Sequence, residues 1–218
     1  MKKIVVILIV LGLACSKSDI DVADSGLDYY PVVIGKYVDY RVDLIEFVDG
    51  VWDTSAYFLR ESIDSGDVDL EGRQVYFLNR STRISDTLQW LWKERWSFYK
   101  GEDRLEINES NTVFVKMVFP LRRGLGWDGN ARNSLNYEQY RILDLDLRSN
   151  AGGKEFERTM RINHRSNINL IEEQFEEEVY ARGVGLIEYQ NVDLVYNVNG
   201  NAVSGRSYNQ AYKAHGKK

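Results

Sequence analysis

Chemistry in this chain would have to come from a small set of side chains. The two histidines, His164 and His215, have no Cys, His or carboxylate at ligand spacing around them, so no metal centre and no other cofactor is expected. His164, on a stretch of strand character, reads as solvated or simply hydrogen-bonded. DSGDVDLEG (64–72) is acidic but lacks the D-x-[DN]-x-[DN]-G order and closing Glu of a calcium loop, and reads as a hairpin turn. There is no G-x-S-x-G elbow, and GLGWDG (124–129) lacks the Lys and the strand–loop–helix setting of a phosphate loop. Carboxylates are densest at Glu172, Glu173, Glu176, Glu177 and Glu178. A retaining glycosidase needs two carboxyls about 5 Å apart across a sugar, usually from different strands. A run within one segment is instead expected to be a solvated face, and no catalytic residue is assigned.

The strongest candidate for binding is aromatic. In LQWLWKERWSFY (88–99), strict alternation puts Trp90, Trp92, Trp96 and Phe98 on one strand face with Glu94 among them. Such a stripe either forms core or lines a site that stacks sugars or holds an apolar ligand, since aromatic side chains bury large areas in both settings. Glu94 is the misfit. A carboxylate amid tryptophans must be paired, sit at a rim, or have a raised pKa.

The single cysteine, Cys15, calls for a different reading. Lys2 and Lys3 precede an apolar run, Ile4 to Leu13, and the small Ala14 stands directly before Cys15. About ten residues of helix span roughly 15 Å, half a bilayer core, which suits the apolar region of a signal peptide and not a membrane span. The stretch resembles a bacterial lipoprotein box, with Gly12 where a Leu is usual. That resemblance implies cleavage before Cys15, acylation of Cys15, and attachment to a membrane by several chains. One chain alone would hold only marginally, at about 0.8 kcal/mol per buried CH₂.

Composition bounds the rest. Once such a segment is removed, about 200 residues remain, enough for one medium domain with a full core. The 218-residue chain carries a net charge of −5 with no arginine-rich tract, so nucleic acid is not an expected partner. With 14 Tyr, 8 Phe, 5 Trp and only 2 Pro, the chain favours strands over helices.

Residues 1–14 are therefore read as a lipoprotein signal peptide and 15–28 as the lipidated Cys plus an acidic tether with a reach of about 20 Å. Residues 29–198 form the β domain, and 199–218 a polar tail holding at most one edge strand. KYVDYRVDLIEF (36–47) alternates Val38, Tyr40, Val42 and Leu44 against Asp39, Arg41 and Asp43. A hairpin turn is expected at Asp49–Gly50, another at DSGD (64–67), and a loop at 121–130. The segment around Phe175 fits helix or strand. The expected fold is mostly β: one antiparallel barrel or strongly curved meander of nine or ten strands. Charges such as Asp39, Arg41, Lys93 and Arg95 on its outward face exclude a lipid-facing barrel.

YYPVVIGKYVDY, FVKMVFPLRRGLGWDGN and EVYARGVGLIEY look like segments of a group of Bacteroidota lipoproteins of unassigned function, and the similarity in spacing extends over most of the chain after Cys15. It implies an outer-membrane location, at the cell surface or the periplasmic face, and supplies no catalytic or binding residue. Pro31–Gly35–Tyr37 and Pro120–Gly124–Trp127 share a frame that would make them corner turns or unrelated bends. The function expected is a lipid-anchored, non-enzymatic envelope domain that binds an envelope protein or a small apolar or glycan ligand. A lipocalin-like carrier of an apolar ligand and a carboxylate-dependent glycan hydrolase are the alternatives.

Overall fold

The computed structural model describes residues 24–48 and 51–218. Twelve strands form one antiparallel sheet that is nearly closed into a barrel. In chain order they are β1 (Lys36–Val48), β2 (Val51–Val68), β3 (Gln74–Arg83), β4 (Leu91–Lys100), β5 (Arg104–Glu109) and β6 (Thr112–Val118), followed by β7 (Gly126–Asp128), β8 (Gln139–Ala151), β9 (Lys154–Ile168), β10 (Glu172–Ala181), β11 (Gly185–Tyr196) and β12 (Ala202–Lys217). Strands consecutive in sequence pair in the sheet except β6 and β7, and β12 pairs with β1, so the two edge strands are β6 and β7. Their seam is bridged by the Val115 N–H donating to the Gly129 carbonyl and by Trp127 Nε1 donating to the Val115 carbonyl at 2.7 Å.

The antiparallel order gives the barrel two distinct ends. The proximal end carries residues 24–35, the turns that follow β2, β4, β8 and β10, the segment after β6, and the C-terminus. The distal end carries the other hairpin turns. The expected turn at 49–50 lies outside the described residues. Along β1, Val38, Tyr40, Val42 and Leu44 face the core and Arg41 and Asp43 face out, as the alternation predicts.

Several expectations change. The strand count is twelve, not nine or ten. Residues 199–218 are no tail with an edge strand: β12 is hydrogen-bonded on both sides, to β1 and β11. Its polar sequence suits a barrel whose interior is partly polar. Gly205 lets β12 pass close to β11, because a Cβ there would stand 1.9 Å from the Asp193 carbonyl oxygen. DSGD lies within β2, and the chain turns at Asp69–Arg73, where Asp69 accepts the backbone N–H groups of Glu71 and Arg73. The 121–130 loop contains β7. The ambiguous segment around Phe175 is β10, a strand.

The end of the acidic tether also departs from the reading. Residues 1–23 lie outside the described residues, but 24–28 are docked. Leu27–Tyr29 form a 3-10 turn, and Tyr29 and Tyr30 are buried in the apolar core with Phe98, Met117, Ile142, Ile162 and Tyr180. Lys100 from β4 donates to the carbonyls of Leu27 and Tyr30, and the Leu121 N–H to that of Ser25. Arg182, from the β10–β11 turn, pairs with Asp24, Asp28 and Asp146 while its guanidinium lies 4.7 Å from the Tyr29 ring centre. Burial works against a charged Asp146, yet Arg182 and Arg158 hold its carboxyl well below the usual range. Lys36 reaches the Gly183 carbonyl, and burial pulls its pKa down to about 8. The Pro31–Gly35 stretch and the 182–186 stretch thus meet at the proximal end, around the docked N-terminal segment.

Candidate functional site

The predicted aromatic stripe is split by a β-bulge. Glu94 stands opposite Arg80, but Trp92 stands opposite Ser81, so Lys93 is the extra residue of β4. A bulge of this kind changes which face the flanking side chains occupy. Phe98 is buried in the core, Trp96 packs against it, and Glu94 is on the same inner face. Trp92 is 69% exposed. Trp90, just before β4, lies against the outer Arg60–Asp39 pair, with the Arg60 and Arg83 guanidiniums 4.5 and 4.4 Å from its ring centre. The structure therefore brings Trp96, Glu94 and Phe98 together and places Trp90 and Trp92 elsewhere.

Glu94 resolves as a paired carboxylate. Arg80 Nη1 donates to it at 2.7 Å, Arg80 Nε donates to Glu61 at 3.0 Å, and the guanidinium lies 3.8 Å from the Trp96 ring centre. Arg80 and Glu61 are both largely buried. Burial pushes the Glu61 carboxyl up, and Arg80 offsets that only in part.

Arg80 and Trp96 floor a cleft of about 140 Å³ between β3–β4 and β11–β12, towards the distal end. Its lining is Arg80, Lys93, Trp96, Tyr189, Asn191, Arg206 and Tyr208. Tyr189 and Tyr208 stand 5.7 Å apart and tilted, and Arg206 lies 5.3 Å from the Tyr208 ring centre. The Asn191 amide donates to the Tyr189 hydroxyl, which in turn donates to Glu176 at 2.9 Å.

Behind Tyr189 lies a layer of buried charge that the sequence did not reveal. The glutamates 176 and 178, expected on a solvated face, are inside, and His164 takes the hydrogen-bonded of its two expected settings, also inside. A register shift of β9 against β10 leaves His164 without a partner across the ladder and turns its ring inward. The ring stacks on Tyr140 with centres 3.7 Å apart, Nδ1 faces Glu176 at 3.3 Å, and Nε2 is 3.3 Å from Glu178 without hydrogen-bond geometry. Lys116 Nζ is 2.9 Å from Glu178 and 3.0 Å from Glu109, and Tyr180 donates to Glu178 at 2.7 Å. Burial alone would pull Lys116 and His164 down. The facing carboxylates hold Lys116 well above, and His164 above, their ordinary values. Burial would likewise push Glu178 up, but Lys116 and His164 keep it well below the carboxylate range.

The charged side chains are thus committed to one another. Glu61 and Glu94 share Arg80, Glu178 is held by Lys116, and Glu176 by Tyr189 and Arg165. The five-glutamate run places Glu176 and Glu178 in this network and not on a solvated face. No carboxylate is among the described residues that line the cleft. A second interior pocket, beside Tyr30, Tyr40, Glu61 and Leu186, measures about 40 Å³, room for a few waters and not for a lipid.

No protein-family model matches the chain, and no curated protein matches it. Among solved structures, the crystal structure of a candidate lipoprotein from Parabacteroides distasonis is similar to it, at 11% sequence identity over 86% of this chain and 98% of that chain, with a TM-score of 0.42. Likeness at that level carries no argument about this chain's fold or function.

Proposed function

We propose that this protein is a lipid-anchored β domain of the bacterial outer membrane, tethered through Cys15 and binding an envelope component at its distal end. The observation that carries the reading is the opposition of the two ends. The chain leading back to Cys15 leaves from the clamped proximal end at Asp24, while the aromatic and cationic cleft opens towards the distal end. Between Cys15 and Asp24 a fully extended chain spans about 30 Å at most. The 13 residues of β1 already run about 40 Å along the strand. A short tether therefore holds the proximal end towards the membrane and leaves the cleft facing away.

The role proposed is binding: the nearby carboxylates are turned to Arg80 and Arg206 behind the walls, which leaves cations and aromatic rings to line the cleft. The outward-facing charges, among them Arg41, Asp43, Arg60 and Arg95, also keep the domain itself out of lipid.

Membrane fractionation of the wild type and Cys15→Ser, with mass spectrometry of the N-terminal peptide, tests the anchor. The wild type is expected in the membrane fraction with an acylated Cys15, and the variant in the soluble fraction with an unprocessed or unacylated N-terminus. A variant that stays with membranes at the same processed mass overturns the reading. Protease shaving of intact cells then assigns the cell surface or the periplasmic face.

A further inference from the structure

We propose that the distal cleft takes one acidic sugar residue of a glycan, its ring against Tyr189, Tyr208 and Trp96 and its carboxylate towards Lys93 and Arg206. This rests on the binding role proposed above and names its ligand class.

The size is the first reason. A cleft of about 140 Å³ is well below the roughly 300–1,000 Å³ of pockets that enclose drug-sized ligands, so it suits one sugar unit seated partly in the opening and not a lipid or a peptide segment. The second is the character of the walls. Aromatic faces accept the C–H side of a sugar ring. The polar edges are engaged within the protein, Tyr189 with Glu176, Tyr208 with Gln210 and Trp96 with Glu94, so the rings offer faces and hold their positions. Tyr189, Tyr208 and Trp96 supply the faces, and Asn191 adds an amide.

The third is the sign of the charge. Every ionisable lining side chain other than tyrosine is cationic: Arg80, Lys93 and Arg206. The nearby carboxylates sit behind them. Glu61 and Glu94 are turned to Arg80, and Glu46 to Arg206 at 3.2 Å. Lys93 is the least committed, 3.9 Å from Glu94, and Lys93 and Arg206 are each about half exposed at the opening. An incoming carboxylate meets these two first. Arg80, deep and doubly paired, forms the floor. Mouths of β-barrels are recurrent ligand sites for the same geometric reason: strands from opposite walls converge side chains on one enclosed space.

Binding of D-glucuronate, D-glucose and inorganic phosphate to the full-length protein in detergent, followed by saturation-transfer NMR, tests the proposal. Glucuronate is expected to bind about tenfold more tightly than glucose, since one charge-assisted contact contributes about that factor, and about tenfold more tightly than phosphate, which lacks the ring that meets the aromatic faces. Lys93→Ala and Arg206→Ala should each weaken glucuronate roughly 3- to 10-fold and leave glucose unchanged. Both side chains are exposed, so both variants should fold, which circular dichroism checks. Glucose or phosphate binding as tightly as glucuronate, no glucuronate binding at all, or variants identical to the wild type would overturn the proposal. Because the titration does not depend on acylation, it separates failure here from failure of the anchor.

Discussion

The proximal and distal halves of the barrel bury different things. The proximal half is sealed by the chain's own N-terminal segment: Tyr29 and Tyr30 fill an apolar core, and Arg182 ties three aspartates across the outside. The half towards the cleft encloses charge instead, with Lys116, His164, Glu178 and Arg80 all buried. At the distal rim, apolar side chains stand in water, such as Leu170 at 91% and Val198 at 100% exposure. The difference teaches where rigidity comes from in each half. An apolar plug tolerates the loss of one surface ion pair. A buried charge layer does not tolerate the loss of one member, because removing one partner leaves the other desolvated and unpaired.

Breaking the charge layer should therefore have the largest effect. Glu178→Gln is expected to cost about 3 kcal/mol in urea unfolding, by leaving buried Lys116 with Glu109 alone and taking the facing charge from His164. The double variant Lys116→Met/Glu178→Leu should cost less than Glu178→Gln alone, because it removes both charges. Equal losses would mean the pair is not buried as described. Next comes the clamp. Arg182→Ala should cost about 1–2 kcal/mol, since its aspartate partners are partly solvated, and should expose residues 24–30 to limited proteolysis. Resistance of that segment to protease would remove the clamp from the account.

A pH series sharpens the same contrast. The folded pKa of His164 is raised, so its contribution is fully present below about 6.5 and is lost as pH rises through the folded value. Glu178 is depressed, so its contribution is present above about 4.3 and is lost as pH falls. The stability advantage of wild type over His164→Gln should thus shrink as pH rises above about 6.5. An advantage that grows there would reverse the sign assigned to His164. Smallest of all, Leu170→Asp and Val198→Asp should change stability by no more than about 0.5 kcal/mol. Larger losses would mean the distal tips pack within the domain.

Much of the fold could be read from alternation. β1 shows polar and apolar residues on opposite faces, and its burial follows that pattern. What escaped was of two kinds. Strand β12 reads as polar because Tyr208 and Gln210 face a partly polar interior, so no apolar stripe marks it. And bulges break the period of two. The extra residue Lys93 separates Trp92 from Trp96, and the unpaired His164 turns inward towards Glu176 and Glu178. Sequence spacing counts residues; it does not count those a ladder skips. Trp96 and Glu94 were within reach of sequence reasoning. Tyr189, Asn191, Arg206 and Tyr208 were not, because the cleft brings them in from strands far along the chain, on the other side of β1 and β2 in the sheet.

The opposition of the two ends can be measured directly. The lipidated protein, labelled through Leu70→Cys in the proximal β2–β3 turn or Val198→Cys in the distal β11–β12 turn, is bound to vesicles carrying a quencher in the headgroup layer. Acylation occupies the Cys15 thiol, so each label reports one site. Strong quenching at position 70 and little at 198 is the predicted result. Equal quenching at both, or stronger quenching at 198, would contradict an anchor at one end and a binding mouth at the other.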